Sequence, residues 1–201
     1  MRNCSTVENT PALETDRLIL RRFAPGDEDA LFALMSDREV NTFLPWFPLV
    51  ERAEAERLLG EYLEFYHKPW GYRYAVCRKG HEQPVGYVHL GEGEPYDLGY
   101  AIAREHWGNG MIAEACQAVV EHLRQRGSVP YLTATHDREN PASGRVMQKL
   151  GMAYCYSYQE QWQPKGFPVV FRLYQLNLDG RSDRVYRGYW ERHPMHFKEE
   201  L

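Results

Sequence analysis

No stretch of this sequence approaches the roughly 20 consecutive apolar residues of a membrane-spanning helix. A membrane partner is therefore not expected. The opening residues, MRNCSTVENTPALETDR, also lack the apolar core of a secretory leader, which predicts a cytoplasmic protein. Cysteine is scarce, and Cys4, Cys77, Cys116 and Cys155 are scattered without metal-type spacing. This predicts reduced thiols, with Cys116 and Cys155 as packing groups, and no metal. An excess of basic charge is missing too: 24 Lys and Arg stand against 28 Asp and Glu, a formal net charge of -4. A general nucleic-acid binder would show a basic stripe, so no nucleic-acid partner is expected. There is no internal repeat and no low-complexity segment, and 201 residues suit one domain with its own core.

What is present is organised around Tyr96 to Ala115, YDLGYAIAREHWGNGMIAEA. Leu98, Tyr100 and Ile102 alternate with Asp97, Gly99 and Ala101 as in a strand. Gly108 and Gly110 then bracket Asn109, and a helical apolar pattern starts at once. Two glycines at a strand-to-helix junction allow a tight turn and close approach of a ligand to bare amides. The first helical turn carries unpaired N–H groups that favour an anion. On spacing alone this is either a phosphate-binding turn or simply a turn. A P-loop would need a Lys-Ser/Thr pair, and the dinucleotide fingerprint a further strand ending in an acid.

Before that stretch, Arg17 to Phe23 reads as a strand with Leu18 and Leu20 on one face, and Asp27 as the cap of a helix. Asn41 to Leu49, NTFLPWFPL, is either a satellite of the core or the wall of a cleft. Glu51 to His67 has the pattern of an amphipathic helix. Tyr72 to Cys77 and Pro84 to Leu90 complete an antiparallel meander with the strand from Tyr96, and Gly99 within it predicts a bulge or a close backbone approach. After the glycine turn, Cys116, Val119, Val120 and Leu123 form a core-facing stripe that ends at Gly127. Tyr131 to Thr135 is a short strand, and Asn140-Pro141 suits a helix start running to Gly151. Two strands, Tyr154 to Trp162 and Val169 to Leu178, flank Pro164-Lys165-Gly166. Asp183 to Leu201 is a short docked helix or a frayed tail, or else a cover for a cleft.

WGNGMIAEA, with LGYAI before it and NPASGRVMQKLGM after it, resembles the GNAT superfamily of acyl-CoA N-acyltransferases, in its ribosomal-protein alanine N-acetyltransferase-like branch. ETDRLILRRF and EVNTFLPWFPL resemble the same branch, so the likeness covers roughly residues 13 to 178 in one domain, with 179–201 as a C-terminal extension. The family pattern Q/R-x-x-G-x-G/A falls on Trp107 to Ile112, with Trp107 in place of Gln or Arg and Ile112 in place of Gly or Ala.

The resemblance implies an α+β GNAT fold: a central, mostly antiparallel splayed sheet of about seven strands flanked by about four helices. It implies acetyl-CoA as cosubstrate, with the diphosphate on the turn formed by Trp107, Gly108, Asn109, Gly110, Met111 and Ile112. The pantetheine arm would pair with the backbone at Ile102 and Arg104 and meet Asn140, while Ser143 protonates the departing thiolate. Trp46 and Phe47 would shape the acceptor site. The implied reaction is acetyl transfer to a primary amine, either a protein N-terminal α-amine or a small molecule such as an aminoglycoside, polyamine or amino-acid derivative. A non-catalytic acyl-CoA-binding module is the reading from another class. His89, Glu92, Glu94 and Asp97 lie near the expected cleft, and the sequence singles out none as a base. A homodimer is left open.

Overall fold

The computed structural model describes residues 9–201. Residues 1–8, Cys4 among them, lie outside that range. In chain order the elements are β1 (Leu13–Glu14), β2 (Leu18–Arg21), α1 (Glu28–Ser36), α2 (Arg52–Phe65), β3 (Tyr72–Arg78), β4 (Pro84–Leu90) and β5 (Leu98–Ile102). Then follow α3 (Met111–Arg126), β6 (Tyr131–Asp137), α4 (Pro141–Lys149), β7 (Ala153–Trp162), β8 (Phe167–Asn177), α5 (Gly188–Arg192) and β9 (His196–Phe197). Among the described residues, seven strands have four or more residues and four helices have nine or more, as expected. The strands are divided, however, between a five-stranded sheet in the order β1-β2-β3-β4-β5 and a four-stranded sheet in the order β6-β8-β7-β9, with every ladder antiparallel.

The sheets touch through one isolated parallel bridge between Asp97 and Thr133. Beyond it β5 and β6 part, and the gap between them opens toward the glycine turn. Alternation explains the two faces of the first sheet. Leu18, Leu20, Tyr72, Tyr74, Val76, Val88, Leu90 and Leu98 pack with the buried stripe of α3 (Ala115, Cys116, Val119, Val120, Leu123), with Met147 from α4 and with Leu150 just beyond it. On the opposite face Ala75, Tyr87 and Ala101 meet Leu31, Leu34 and Met35 of α1 and Ala55 and Leu59 of α2. A register shift between Tyr154 and Tyr156 turns β7 over, so that Tyr156 and Tyr158 join Phe171 and Leu173 under Tyr186, Tyr189 and Trp190.

The C-terminal extension is docked. Phe197 and His196 pair with Ser157 and Tyr158 on the edge of β7. Arg172 holds Glu199 with Nε at 3.0 Å and Nη2 at 2.5 Å. Asp27 stands at the start of α1 but does not cap it. Its carboxylate takes two hydrogen bonds from the Arg21 guanidinium, at 2.7 and 2.9 Å, and one from the Ala24 amide. Cys116 is a buried packing group, whereas Cys155 is only partly covered.

Candidate active site

β5 leads through a short 3-10 turn, Arg104–His106, into the glycine turn. Gly108 (φ 75°) and Gly110 (φ 72°) are both left-handed, the conformation that glycine adopts without cost. Gly110 is the N-cap of α3 and offers no side chain to the helix. The first main-chain bond of α3 runs from the Glu114 amide to the Gly110 carbonyl, at 3.0 Å. The amides of Met111, Ile112 and Ala113 precede that bond, and Asn109 lies exposed beside them. A concave row of N–H groups at a helix N-terminus suits a diphosphate.

The register of β4 against β5 decides what faces the gap. Ala103 N donates to Val85 O, and Gly91 N to Asp97 O. In an antiparallel pair such bonds recur at every second residue, so Asp97, Gly99, Ala101 and Ala103 point their main-chain groups at β4. Those of Leu98, Tyr100 and Ile102 point away from it, into the gap. The Ile102 carbonyl is already engaged by the Trp107 indole, whose Nε1 donates to it at 2.9 Å. Ile102 thus offers the gap its N–H. Arg104 stands outside the strand, in the turn, with its guanidinium paired to Glu39 and near Asp37.

Asn140 caps α4: its Oδ1 accepts from the Ser143 amide at 3.3 Å, and Pro141 takes the first helical position. Ser143 Oγ lies 3.0 Å from the Tyr100 hydroxyl, which also donates to the Ser143 carbonyl at 3.0 Å. Burial pushes the Tyr100 phenol far above its ordinary range, with Cys116 the next cause, so it keeps its proton at any physiological pH. Tyr100 therefore belongs to the same hydrogen-bonded group as Ser143. In the sequence it looked like one more apolar residue of an alternating strand.

On the α1/α2 face lies a cavity of about 460 Å³, whose lining includes Trp46, Glu61, Tyr62, Arg73, Tyr87 and His89. Trp46 is oriented by Asn41, whose Oδ1 accepts from the indole Nε1 at 3.1 Å. Phe47 does not line the cavity and is 59% exposed. Arg73 lies over the Phe65 ring at 4.1 Å and the Tyr62 ring at 5.5 Å. His89 stacks on Tyr87 with centroids 5.5 Å apart and lies directly over Gly99. The structure thus shows the close approach, with no register shift in the β4–β5 ladder. Across the rim, Lys165 from the β7–β8 turn donates to the carbonyls of Asn41 and Thr42, at 2.7 and 3.0 Å.

The four acid–base candidates now separate. Glu92 is tied to Lys68 at 2.7 and 2.9 Å on the surface, and Glu94 sits beside the Tyr131 phenol. Burial, then Arg73, pushes His89 down to about 4, too low for it to compete for a proton near neutrality. Burial pushes Asp97 up to about 6, against the hydrogen bond from Thr133 Oγ1 at 3.1 Å. Asp97, just before β5, shares the face of Gly99 two residues on, about 7 Å away by strand rise. Its charge also raises Tyr189, after burial.

The family model described as "Acetyltransferase (GNAT) domain" matches residues 17–153. An uncharacterized N-acetyltransferase of Bacillus subtilis (strain 168), YoaA, is 26% identical over 170 residues, 83% of this chain and 96% of that protein. Among solved structures, RimL, a ribosomal L7/L12 alpha-N-protein acetyltransferase in complex with coenzyme A, superposes with a TM-score of 0.75 at 17% identity, covering 85% of this chain and 100% of that one. The acetyl transferase from Salmonella typhimurium that modifies the N-terminal serine of 50S ribosomal protein L7/L12 gives 0.72 at 16%, covering 83% and 99%. At these identities the structural likeness speaks for the fold.

Proposed function

The chain belongs to the GNAT acetyltransferase family and is an acetyl-CoA-dependent N-acetyltransferase; on that premise we propose that its acceptor is a protein N-terminal α-amine. The observation that carries the placement of the coenzyme is the uncapped start of α3, set just past two left-handed glycines at the open end of the gap between β5 and β6. Acetyl-CoA supplies the activated acyl group. The turn from Trp107 to Ile112 holds its diphosphate, and Asn140 borders its arm.

The amine lies on the α1/α2 face, beside Gly99 and the cavity that Trp46 walls. Main-chain N–H groups of Tyr100 and Ile102 face the gap and stabilise the oxyanion. Ser143 gives its proton to the thiolate, with Tyr100 holding the hydroxyl in place. Asp97 removes the proton from the amine, directly or through a water. An α-amine with pKa near 7.7 to 8.0 is neutral in roughly one molecule in ten at pH 7, whereas a lysine near 10.4 is neutral in about one in 2,500. A carboxylate near 6 suffices for the first and is weak for the second.

Two further points favour this acceptor over cationic small molecules. The cavity has one carboxylate, Glu61, and one guanidinium, Arg73, among largely aromatic and aliphatic walls. Aminoglycosides and polyamines call for a cluster of acids. Both RimL-type structures with the same fold act, by their descriptions, on a ribosomal protein's N-terminus. A cytoplasmic setting belongs to the same reading.

The test is thiol release from acetyl-CoA with a panel of amines: short peptides with free N-termini, the same peptides blocked, spermidine and an aminoglycoside. Turnover with free N-termini alone is expected. Turnover with spermidine or the aminoglycoside instead would transfer the assignment to small molecules, and coenzyme binding without release would reduce the protein to a binding module.

A further inference from the structure

We propose that Arg17 is a positioning residue for the coenzyme: it holds the Glu114 carboxylate away from the N-terminus of α3 and braces the glycine turn, keeping the amides there open to a diphosphate. The inference rests on the coenzyme reading above.

Glu114 lies in the first turn of α3, one turn beyond Gly110. A carboxylate there is drawn toward the helix N-terminus by the macrodipole. Left to itself, it would compete for the amides and repel an incoming dianion. Both of its oxygens are instead committed to the opposite side. Oε1 accepts from Thr15 Oγ1 at 2.5 Å and from the Arg17 amide at 3.2 Å. Oε2 accepts from Arg17 Nε at 2.7 Å and Nη2 at 2.6 Å. Burial works against the charge, and the hydrogen bonds from Thr15 and Arg17 overcome it, so the Glu114 carboxyl is held below its ordinary range. Thr15 is itself fixed, its Oγ1 accepting from the Leu18 amide at 3.0 Å.

The same guanidinium turns its other arm to the turn, where Nη1 donates to the Asn109 carbonyl at 3.1 Å. Asn109 is the residue between the two left-handed glycines, so Arg17 ties the turn's backbone to the carboxylate it neutralises. The β1–β2 connection, far away in sequence, thereby sets both the charge and the shape of the α3 N-terminus.

The test is calorimetric titration of the full chain with CoA, for wild type, Arg17→Ala, Glu114→Gln and the double variant, with melting curves for each. Arg17→Ala leaves Glu114 unmatched within a helical turn of the diphosphate, and affinity is expected to fall by about 10- to 30-fold. Adding Glu114→Gln should return it to within about 3-fold of wild type, even where the melting temperature stays low. That rescue is not expected of a residue that only supports the fold. Unchanged affinity in Arg17→Ala, or a double variant as weak as Arg17→Ala alone, overturns the proposal. Should Arg17→Ala not fold, Glu114→Gln alone carries the test: affinity at or above wild type supports it, and a marked loss overturns it. No heat from wild type with CoA is a different failure, that of the coenzyme reading.

Discussion

Gly99→Ala tests the geometry of the acceptor side. A Cβ built on Gly99 would lie 2.3 Å from His89 Nε2 and 2.5 Å from Cε1, where ordinary contact begins at 3.4 Å. The imidazole must therefore retreat by about 1 Å. Its stacking on Tyr87 restrains it, and the space left to it is the cavity that it lines. Gly99 does not have a positive φ, so the cost is steric and not a matter of backbone strain. Forcing one methyl into such a site costs about 1–3 kcal/mol. For a chain of this size that corresponds to a melting temperature lower by roughly 2–12 °C. Steady-state kinetics should show a higher KM for the amine acceptor and little change for acetyl-CoA, because Gly99 turns its main chain to β4 and not to the gap. In a His89→Ala background the same substitution should cost less than about 0.5 kcal/mol. An equal loss in both backgrounds, or none in either, would refute the clash as the cause.

Ser143→Ala should lower kcat by about 10²-fold with little change in CoA affinity, read by stopped-time thiol release and calorimetry; undiminished turnover removes Ser143 from the reaction. kcat/KM should rise with pH through about 6 as Asp97 ionises, because its carboxyl is raised by burial and must be charged to take a proton; Asp97→Asn should abolish that limb and lower the plateau. Glu199 behaves in the opposite sense. Arg172 holds its carboxyl at about 2 against burial, well under the unfolded value near 4.3. Its contribution to stability is complete above that unfolded value and is lost as pH falls from there toward 2. Glu199→Gln should lower stability at pH 7 by about 1–3 kcal/mol in urea titrations and leave a shallower fall in acid.

Local pattern made much of this legible. The stripe of α3, its Gly127 end and the meander from Tyr72 follow from periodicity and turn chemistry, and each stands where those rules put it. Asp27 did not follow, because the capping rule sees the sequence neighbour and not Arg21, which β2 delivers from the side. The splay was implied by the family resemblance and not by periodicity: β5 and β6 part after a single bridge, and no residue in either strand announces it. Trp46 and Phe47 are adjacent aromatics with equal claims on paper. The first donates to Asn41 and lines the cavity, while the second stays in water. Tyr100 and Arg17 escaped notice because alternation and strand propensity already accounted for them. Their partners, Ser143 and Glu114, are distant in sequence.

The pairing of His196 and Phe197 with β7 has a bearing on self-association. An uncovered strand edge is a template on which a second copy can extend the sheet. Here the chain's own end occupies the middle of that edge, reinforced by the Gln159 amide on the Met195 carbonyl at 2.8 Å. Any continuous sheet built across two copies at β7 must first peel that segment off, and truncation before His196 would expose an adhesive edge.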